Sequence, residues 1–335
     1  MTVTFDADIR DRLGTLLERF ERLAQPGPFN YKWCHHADGG VHQEHIVFGC
    51  MVHGNEFGSL PAAVQLIESL RSGELQYGGK VTVFIGNPEA ARQNRRYLEA
   101  DLNRVFLDTG LSRHEDVRAQ AIMPILDAAN VLVDFHQTIL DTEHPFYIFP
   151  WHRTGWHWAR AIRSTDVWVT RNPKQTFSKG SMCSDEYVSG KTGAGITVEL
   201  SKKGFHPDAE KLCWRTMLET LRVADQLHSG ASIVKQAEQN HELIMLETTF
   251  SEPFDDPAKS LRPGLTNFKQ LQAGTQIHAE GTPPLIVPID GAILFPKYPE
   301  RRDTRAIAPW PKELYRLVTP LTVHPKDCWD EPTES

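Results

Sequence analysis

Apolar positions along the chain follow two periods. Leu13, Leu16, Leu17, Phe20 and Leu23 share one helical stripe, and Gln25-Pro26-Gly27-Pro28 stops the helix they predict. The turn Asp38-Gly39-Gly40 leads into the run 46–52 (IVFGCMV), which reads as a strand. A helix follows over 60–70, with Pro61 tolerated in its first turn because no intrahelical partner awaits its N–H. Further strand-like runs lie at 81–85, 131–135 and 196–200, interleaved with helices over 115–128 and 207–227. Buried strands alternating with helices predict an α/β fold with a mixed, largely parallel sheet flanked by helices.

After about His241 the texture changes. Short apolar runs at 243–246, 275–278, 284–287 and 292–295 are separated by Gly, Pro and Asp. They predict a smaller β-rich C-terminal domain over 236–335, following a larger α/β domain over 1–235. The tail from Pro325 is polar and expected to be loosely held.

Composition narrows the function classes. With 335 residues, 40% hydrophobic and 24% charged, the chain is globular and long enough to bury a core without disulfides. No run of 18 apolar residues is present, and the first residues carry acids where a leader would carry bases, so the expected location is the cytoplasm, away from membranes. A net charge of -7 without a basic block argues against nucleic acid and anionic lipid as partners. The five cysteines, Cys34, Cys50, Cys183, Cys213 and Cys328, are dispersed and form no CxxC. They read as buried small apolar residues in a reducing compartment rather than as a disulfide framework or a cysteine metal site.

Three apolar runs end in residues suited to one site: His53-Gly54-Asn55-Glu56 after the first, Asp134-Phe135-His136 at the end of another, and Glu199 inside 196–200. Ligands collect outside the carboxyl ends of strands in such sheets, so groups 80 residues apart can converge. His53 and Glu56 on a strand-to-helix turn, joined by His136, would make the His₂Glu set that leaves one zinc position open for water. Zinc brings that water's pKa to about 7 and polarises a carbonyl. A second carboxylate must then move the water's proton to the leaving amine, and Glu199 fits. Asp134, two residues before His136, is a candidate to orient it, although the alternation of side chains along a strand does not guarantee that geometry. Taken singly, an HxxE or a lone histidine after a strand is more often chance or a satisfied buried group, and it is the joint placement at three strand ends that points to a site. The arginines of Asn94-Arg95-Arg96-Tyr97 and Asp101-Leu102-Asn103-Arg104 fit either a solvated face or bidentate carboxylate binding, and their spacing does not decide.

The segments HGNE (53–56), GNPEAARQNRRYLEADLNRVF (86–106), DFHQT (134–138), HPF (144–146) and TVEL (197–200) resemble, in order, the succinylglutamate desuccinylase/aspartoacylase family of zinc carboxypeptidase-like hydrolases. The resemblance implies one zinc ion per chain on His53, Glu56 and His136, with Glu199 as general base and acid. It implies that Arg96, Asn103 and Arg104 hold a carboxylate of an N-acylated acidic amino acid, and that a C-terminal β domain narrows the entrance. The small-molecule substrate implied first is N-succinylglutamate. N-acetyl amino acids, a peptide (as for a metallocarboxypeptidase) and non-catalytic binding of acidic metabolites stand as alternatives.

Two departures bear on the acyl group. The family carries an arginine soon after the third ligand, where this chain reads His136-Gln137-Thr138-Ile139-Leu140-Asp141, and another about ten residues before the catalytic Glu, where it has Ser189. No arginine lies between Arg171 and Glu199, so Lys179 or Lys191 would have to substitute. Lysine is a point charge rather than a planar fork. A shorter or less charged acyl group than succinyl is therefore expected.

Overall fold

The protein is described here by a computed structural model covering residues 6–171, 180–303, 305–307, 310–324 and 327. Lys179 and, Asp327 apart, the tail from Pro325 lie outside the described residues. The strands are β1 (Cys34–Asp38), β2 (His45–Cys50), β3 (Lys80–Ile85), β4 (Val131–Thr138), β5 (Phe146–Ile148), β6 (Val167–Thr170), β7 (Ala194–Lys202), β8 (Ile244–Pro253), β9 (Gln270–Leu271), β10 (Gly291–Leu294), β11 (Arg301–Arg302), β12 (Arg305–Ala306) and β13 (Glu313–Pro320). The helices are α1 (Ala7–Leu23), α2 (Leu60–Ser72), α3 (Pro88–Arg92), α4 (His114–Asp127), α5 (Arg153–Ile162), α6 (Ser184–Ser189), α7 (Pro207–His228) and α8 (Ile233–Glu238).

One sheet of eleven strands runs in the order β1-β3-β2-β4-β7-β5-β6-β8-β13-β10-β9. Its centre, β3-β2-β4-β7, is parallel, and these strands are buried almost throughout, as the uninterrupted apolar runs predict. The α1 stripe buries Leu13, Leu17 and Phe20, and Pro61 sits in the first turn of α2. The run 46–52 stops being strand at Cys50. Met51 there takes the left-handed conformation (φ 54°), a costly one for a side chain bearing Cβ, and turns the chain toward His53.

Beyond β7 the sheet turns mixed. β5 is antiparallel to β7, β6 is parallel to β5 and to β8, and β8, β13, β10 and β9 pair antiparallel. The runs 275–278 and 284–287 meet only through the isolated bridge Gln276–Ile286 rather than as strands, and the pattern reading missed β13, the central strand of this region. A cluster of Phe254, Leu261, Ile277, Leu285, Ile293 and Leu314 fills the C-terminal region. Another, with Phe146, Val167, Phe268 and Leu294, ties it to β5 and β6. No described helix is long and apolar enough to cross a membrane.

Glu313 opens β13 as a charged hub. It accepts hydrogen bonds from Ser251 Oγ (2.7 Å), Lys297 Nζ (3.1 Å) and Arg316 Nε (2.9 Å). Burial would raise its pKa, but the Arg316 and Lys297 charges outweigh burial and bring it down to about 2. A depressed acid contributes stability above its unfolded pKa of about 4.5 and loses it as pH falls toward 2. Glu313→Gln should therefore cost up to roughly 3 kcal/mol at pH 7. The gap between variant and parent in urea unfolding should close as the pH approaches 2, and a gap independent of pH would contradict this.

Candidate active site

The HxxE turn is built by local hydrogen bonding and one close approach. Glu56 N–H donates to His53 O at 3.1 Å, closing the turn. A Cβ on Gly54 would stand 2.5 Å from the Ala91 nitrogen, so only glycine lets the end of α3 lie this close. Gly54 N–H in turn donates to Arg96 O at 2.9 Å, which docks the arginine-bearing loop on the turn. His136 comes from the carboxyl end of β4, where Cα register places it opposite Glu199 of β7, and Glu199 faces Phe146 of β5 on its other side.

The donor atoms converge. His53 Nδ1 lies 2.9 Å from Glu56 Oε1, His136 Nδ1 lies 3.0 Å from Glu56 Oε2, and the two Nδ1 atoms are 3.0 Å apart. All three residues are buried, and among the described residues they form the one group of three or more His, Cys, Asp or Glu side chains with a metal-ligating arrangement. Each imidazole is fixed from behind by a carboxylate: His53 Nε2 by Asp101 Oδ1 at 3.0 Å, His136 Nε2 by Asp134 Oδ2 at 3.1 Å. Proton donation from Nε2 to those carboxylates leaves both Nδ1 lone pairs for the shared point, the tautomer a metal requires. The donor set thus fits a divalent ion of zinc type.

Electrostatics agree with a site built for a cation. Burial disfavours charge on His136, yet Asp134 and Glu56 outweigh it and raise its pKa well above the usual imidazole value. Burial likewise opposes ionisation of Glu56, yet His53 and His136 hold it well below the carboxylate range. The proton on His136 supplies positive charge beside the Glu56 carboxylate, the balance that a metal would supply. Glu199 differs: burial first, then the Glu56 charge, push its pKa up to about 8. It is 8% exposed, and its Oε2 has no hydrogen-bond partner.

The arginine loop closes one wall. Arg96 Nη1 donates to Glu56 Oε1 (3.0 Å) and its Nε to Asp101 Oδ2 (3.1 Å). Asn103 Nδ2 reaches His136 Nε2 at 3.4 Å, and Asn103 Oδ1 accepts from Ser184 N–H at 2.9 Å. Arg104 Nη1 donates to Asn103 O at 2.6 Å and contacts Cys183 Sγ at 3.3 Å. His53, Glu56, His136, Glu199, Arg96, Asn103 and Arg104 are therefore gathered in one region, whereas Lys191 is not.

The profile of the succinylglutamate desuccinylase/aspartoacylase catalytic domain matches residues 43–228, more than half of the chain. The chain belongs to this family. As a member of a family of hydrolases it is an enzyme. Among curated relatives, the succinylglutamate desuccinylase of Shewanella piezotolerans is 26% identical over 265 residues, covering 72% of this chain and 74% of its own. The fold matches a succinylglutamate desuccinylase/aspartoacylase from Rhodobacter sphaeroides with a TM-score of 0.63 at 17% identity, over 86% of this chain and 89% of that one. It matches murine aminoacylase 3 with a TM-score of 0.58 at 17% identity, over 83% and 95%.

Of the groups that support these side chains, the sequence points to Asp134 behind His136 and not to the others. Asp101 lies inside the quoted DLNR segment, yet only the structure shows it behind His53. Glu115 looks like an ordinary acid in the first turn of α4. It is wholly buried and accepts from Leu98, Glu99 and Ala100 N–H (2.7, 3.0 and 2.9 Å) and from Asn87 Nδ2 (2.9 Å), so it holds the arginine loop in shape. Lys191, offered as a substitute cation, bonds Asp127 and Tyr187 OH on the surface. It precedes β7, roughly 16 Å of strand from Glu199, and so is no part of the site. Ser189, at the position of the second missing arginine, accepts from Gly195 N–H at that same far end.

Proposed function

We propose that the protein is a zinc-dependent amidohydrolase that cleaves N-acylated acidic amino acids, with N-succinylglutamate, giving succinate and glutamate, as first candidate and N-acetyl amino acids second. The observation that carries the reading is the unpartnered, buried Glu199 oxygen beside the three convergent donors. Leaving a buried carboxylate oxygen unbonded costs about 1–3 kcal/mol, a cost understandable where the oxygen must receive a proton. His53, Glu56 and His136 would hold one Zn²⁺, which when bound supplies Lewis acidity toward a carbonyl and acidifies water. Glu199 takes the proton of the attacking water and returns it to the nitrogen of the departing amino acid. Arg96, Asn103 and Arg104 receive that amino acid's carboxylate. Residues 1–235 form the catalytic domain on this reading, and 236–335 a β-rich domain that narrows the entrance. The Arg96 charge felt by Lys297, in the loop after β10, supports that placement. The four described cysteines are free and buried, in keeping with a reducing cytoplasm.

The test is kcat/KM for N-succinyl-, N-acetyl- and N-formyl-glutamate and -aspartate, before and after chelation and zinc repletion. Turnover of an N-acylated acid that chelation abolishes and zinc restores is expected. Binding without turnover across the panel would reduce the protein to a metabolite-binding module. Arg104→Ala should weaken the acidic substrates by about 2–5 kcal/mol in kcat/KM. An equal loss on N-acyl amino acids with neutral side chains and amidated α-carboxyl groups would remove Arg104 from carboxylate recognition.

A further inference from the structure

Among the cations around the site, Lys203 stands apart. Arg96 is engaged by Asp101 and Glu56, Arg104 by Asn103 O and Cys183, and Lys297 by Glu313. The neighbouring Lys202 reaches outward to Asp141 at 3.3 Å. Lys203 is half-buried, and no hydrogen bond or ion pair engages its ammonium among the described residues.

Its backbone is held with unusual care. The β4–β7 register slips between His136 and Thr138, so that Thr138 faces Lys202, and Lys203 N–H donates to Thr138 O at 2.8 Å. Gln137 clamps the segment on both sides of Lys203. Its Nε2 donates to Lys202 O (2.9 Å) and Gly204 O (3.0 Å), and its Oε1 accepts from Gly204 N–H (3.2 Å) and Gly58 N–H (2.8 Å). The same residue's N–H donates to Glu56 Oε2 at 3.1 Å. Gln137 therefore ties the Lys203 segment to Glu56, its side chain holding the backbone on either side of Lys203 and its own N–H holding the carboxylate. The ammonium is close enough to sense both the Glu56 and Arg96 charges, while burial lowers its pKa.

A half-buried ammonium without a counter-ion is costly unless an anion arrives. Arg96, Asn103 and Arg104 lie on the loop at 94–104, whereas Lys203 follows β7, on the chain that carries Glu199. We propose that Lys203 is a specificity residue that receives a carboxylate at the far end of the acyl group, making a dicarboxylic acyl chain such as succinyl the preferred one. This rests on the amidohydrolase reading of the site. It also replaces the expectation of a shorter or less charged acyl group, because the cation sought between Arg171 and Glu199 stands after Glu199 instead. A single ammonium on a flexible stem fixes the charge of the acyl terminus more strictly than its position.

The experiment compares the parent with Lys203→Met and Lys203→Arg in two assays on the zinc-repleted full chain. In turnover, the ratio of kcat/KM for N-succinylglutamate to that for N-acetylglutamate should fall at least 30-fold in Lys203→Met and be largely kept in Lys203→Arg. In calorimetry, the parent should bind succinate at least tenfold more tightly than butyrate, which has the same chain with one carboxylate replaced by methyl, and Lys203→Met should lose that preference. A succinyl-to-acetyl ratio unchanged in Lys203→Met, or a parent that does not distinguish succinate from butyrate, overturns the proposal. If no N-acyl amino acid is hydrolysed, the amidohydrolase reading fails, while the succinate and butyrate comparison still decides the role of Lys203.

Discussion

Glu199→Gln is expected to lower kcat by about 10²–10⁴ while the zinc content stays that of the parent. The amide keeps the size of the side chain and fits the same space between β4 and β5, where His136 and Phe146 flank the position in register. It cannot take a proton from water. The present Oε2 makes no hydrogen bond, so the substitution breaks no contact at that atom. A folded variant with full metal and almost no turnover is therefore the result that assigns proton transfer to Glu199. Zinc loss in the same variant would make Glu199 a ligand and leave the reaction without its base.

The parts of this arrangement that were legible in the sequence are those written in local patterns. Unbroken apolar runs fixed which strands would be central, because a parallel strand covered on both faces has no polar side to show. The HxxE turn was legible since its geometry closes within four residues. What escaped depends on contacts made across the fold. Met51 ends β2 early through a left-handed turn that an apolar run conceals. β13, with the sequence ELYRLVTP, mixes Glu313 and Arg316 into an apolar strand, and its charges make sense only once Lys297 and Ser251 are seen around them. Glu115 is a buried loop anchor that carries the same letters as a solvent-facing helix start. Lys203 follows a register slip between β4 and β7 that no periodicity announces. Lys179 and Lys191, the cations that spacing offers, both precede β7, and Lys191 lies beyond the end of that strand opposite to Glu199.

His136→Ala and His53→Ala are each expected to abolish turnover and to leave the protein with far less than one equivalent of zinc after purification in metal-free buffer and repletion, where the parent holds about one. Each substitution removes one of three protein donors, and two remaining ligands do not complete the four-coordinate set that catalytic zinc keeps with its open position. Each also leaves a carboxylate without its imidazole, Asp134 in the first case and Asp101 in the second. The graded variants Asp134→Asn and Asp101→Asn separate ligand loss from ligand orientation. They keep every donor atom while weakening the bond that fixes the imidazole tautomer, so metal affinity should fall by about 10–100-fold rather than vanish. Asp134 carries the heavier load, because its Oδ2 also accepts from Ser184 Oγ and its side chain is wholly buried. Asp101 shares its charge with Arg96. Asp134→Asn should accordingly be the weaker zinc binder of the two, measured by competition against a chromogenic chelator. If both histidine variants retain zinc as tightly as the parent, the metal sits elsewhere and the convergence of His53, Glu56 and His136 has another cause.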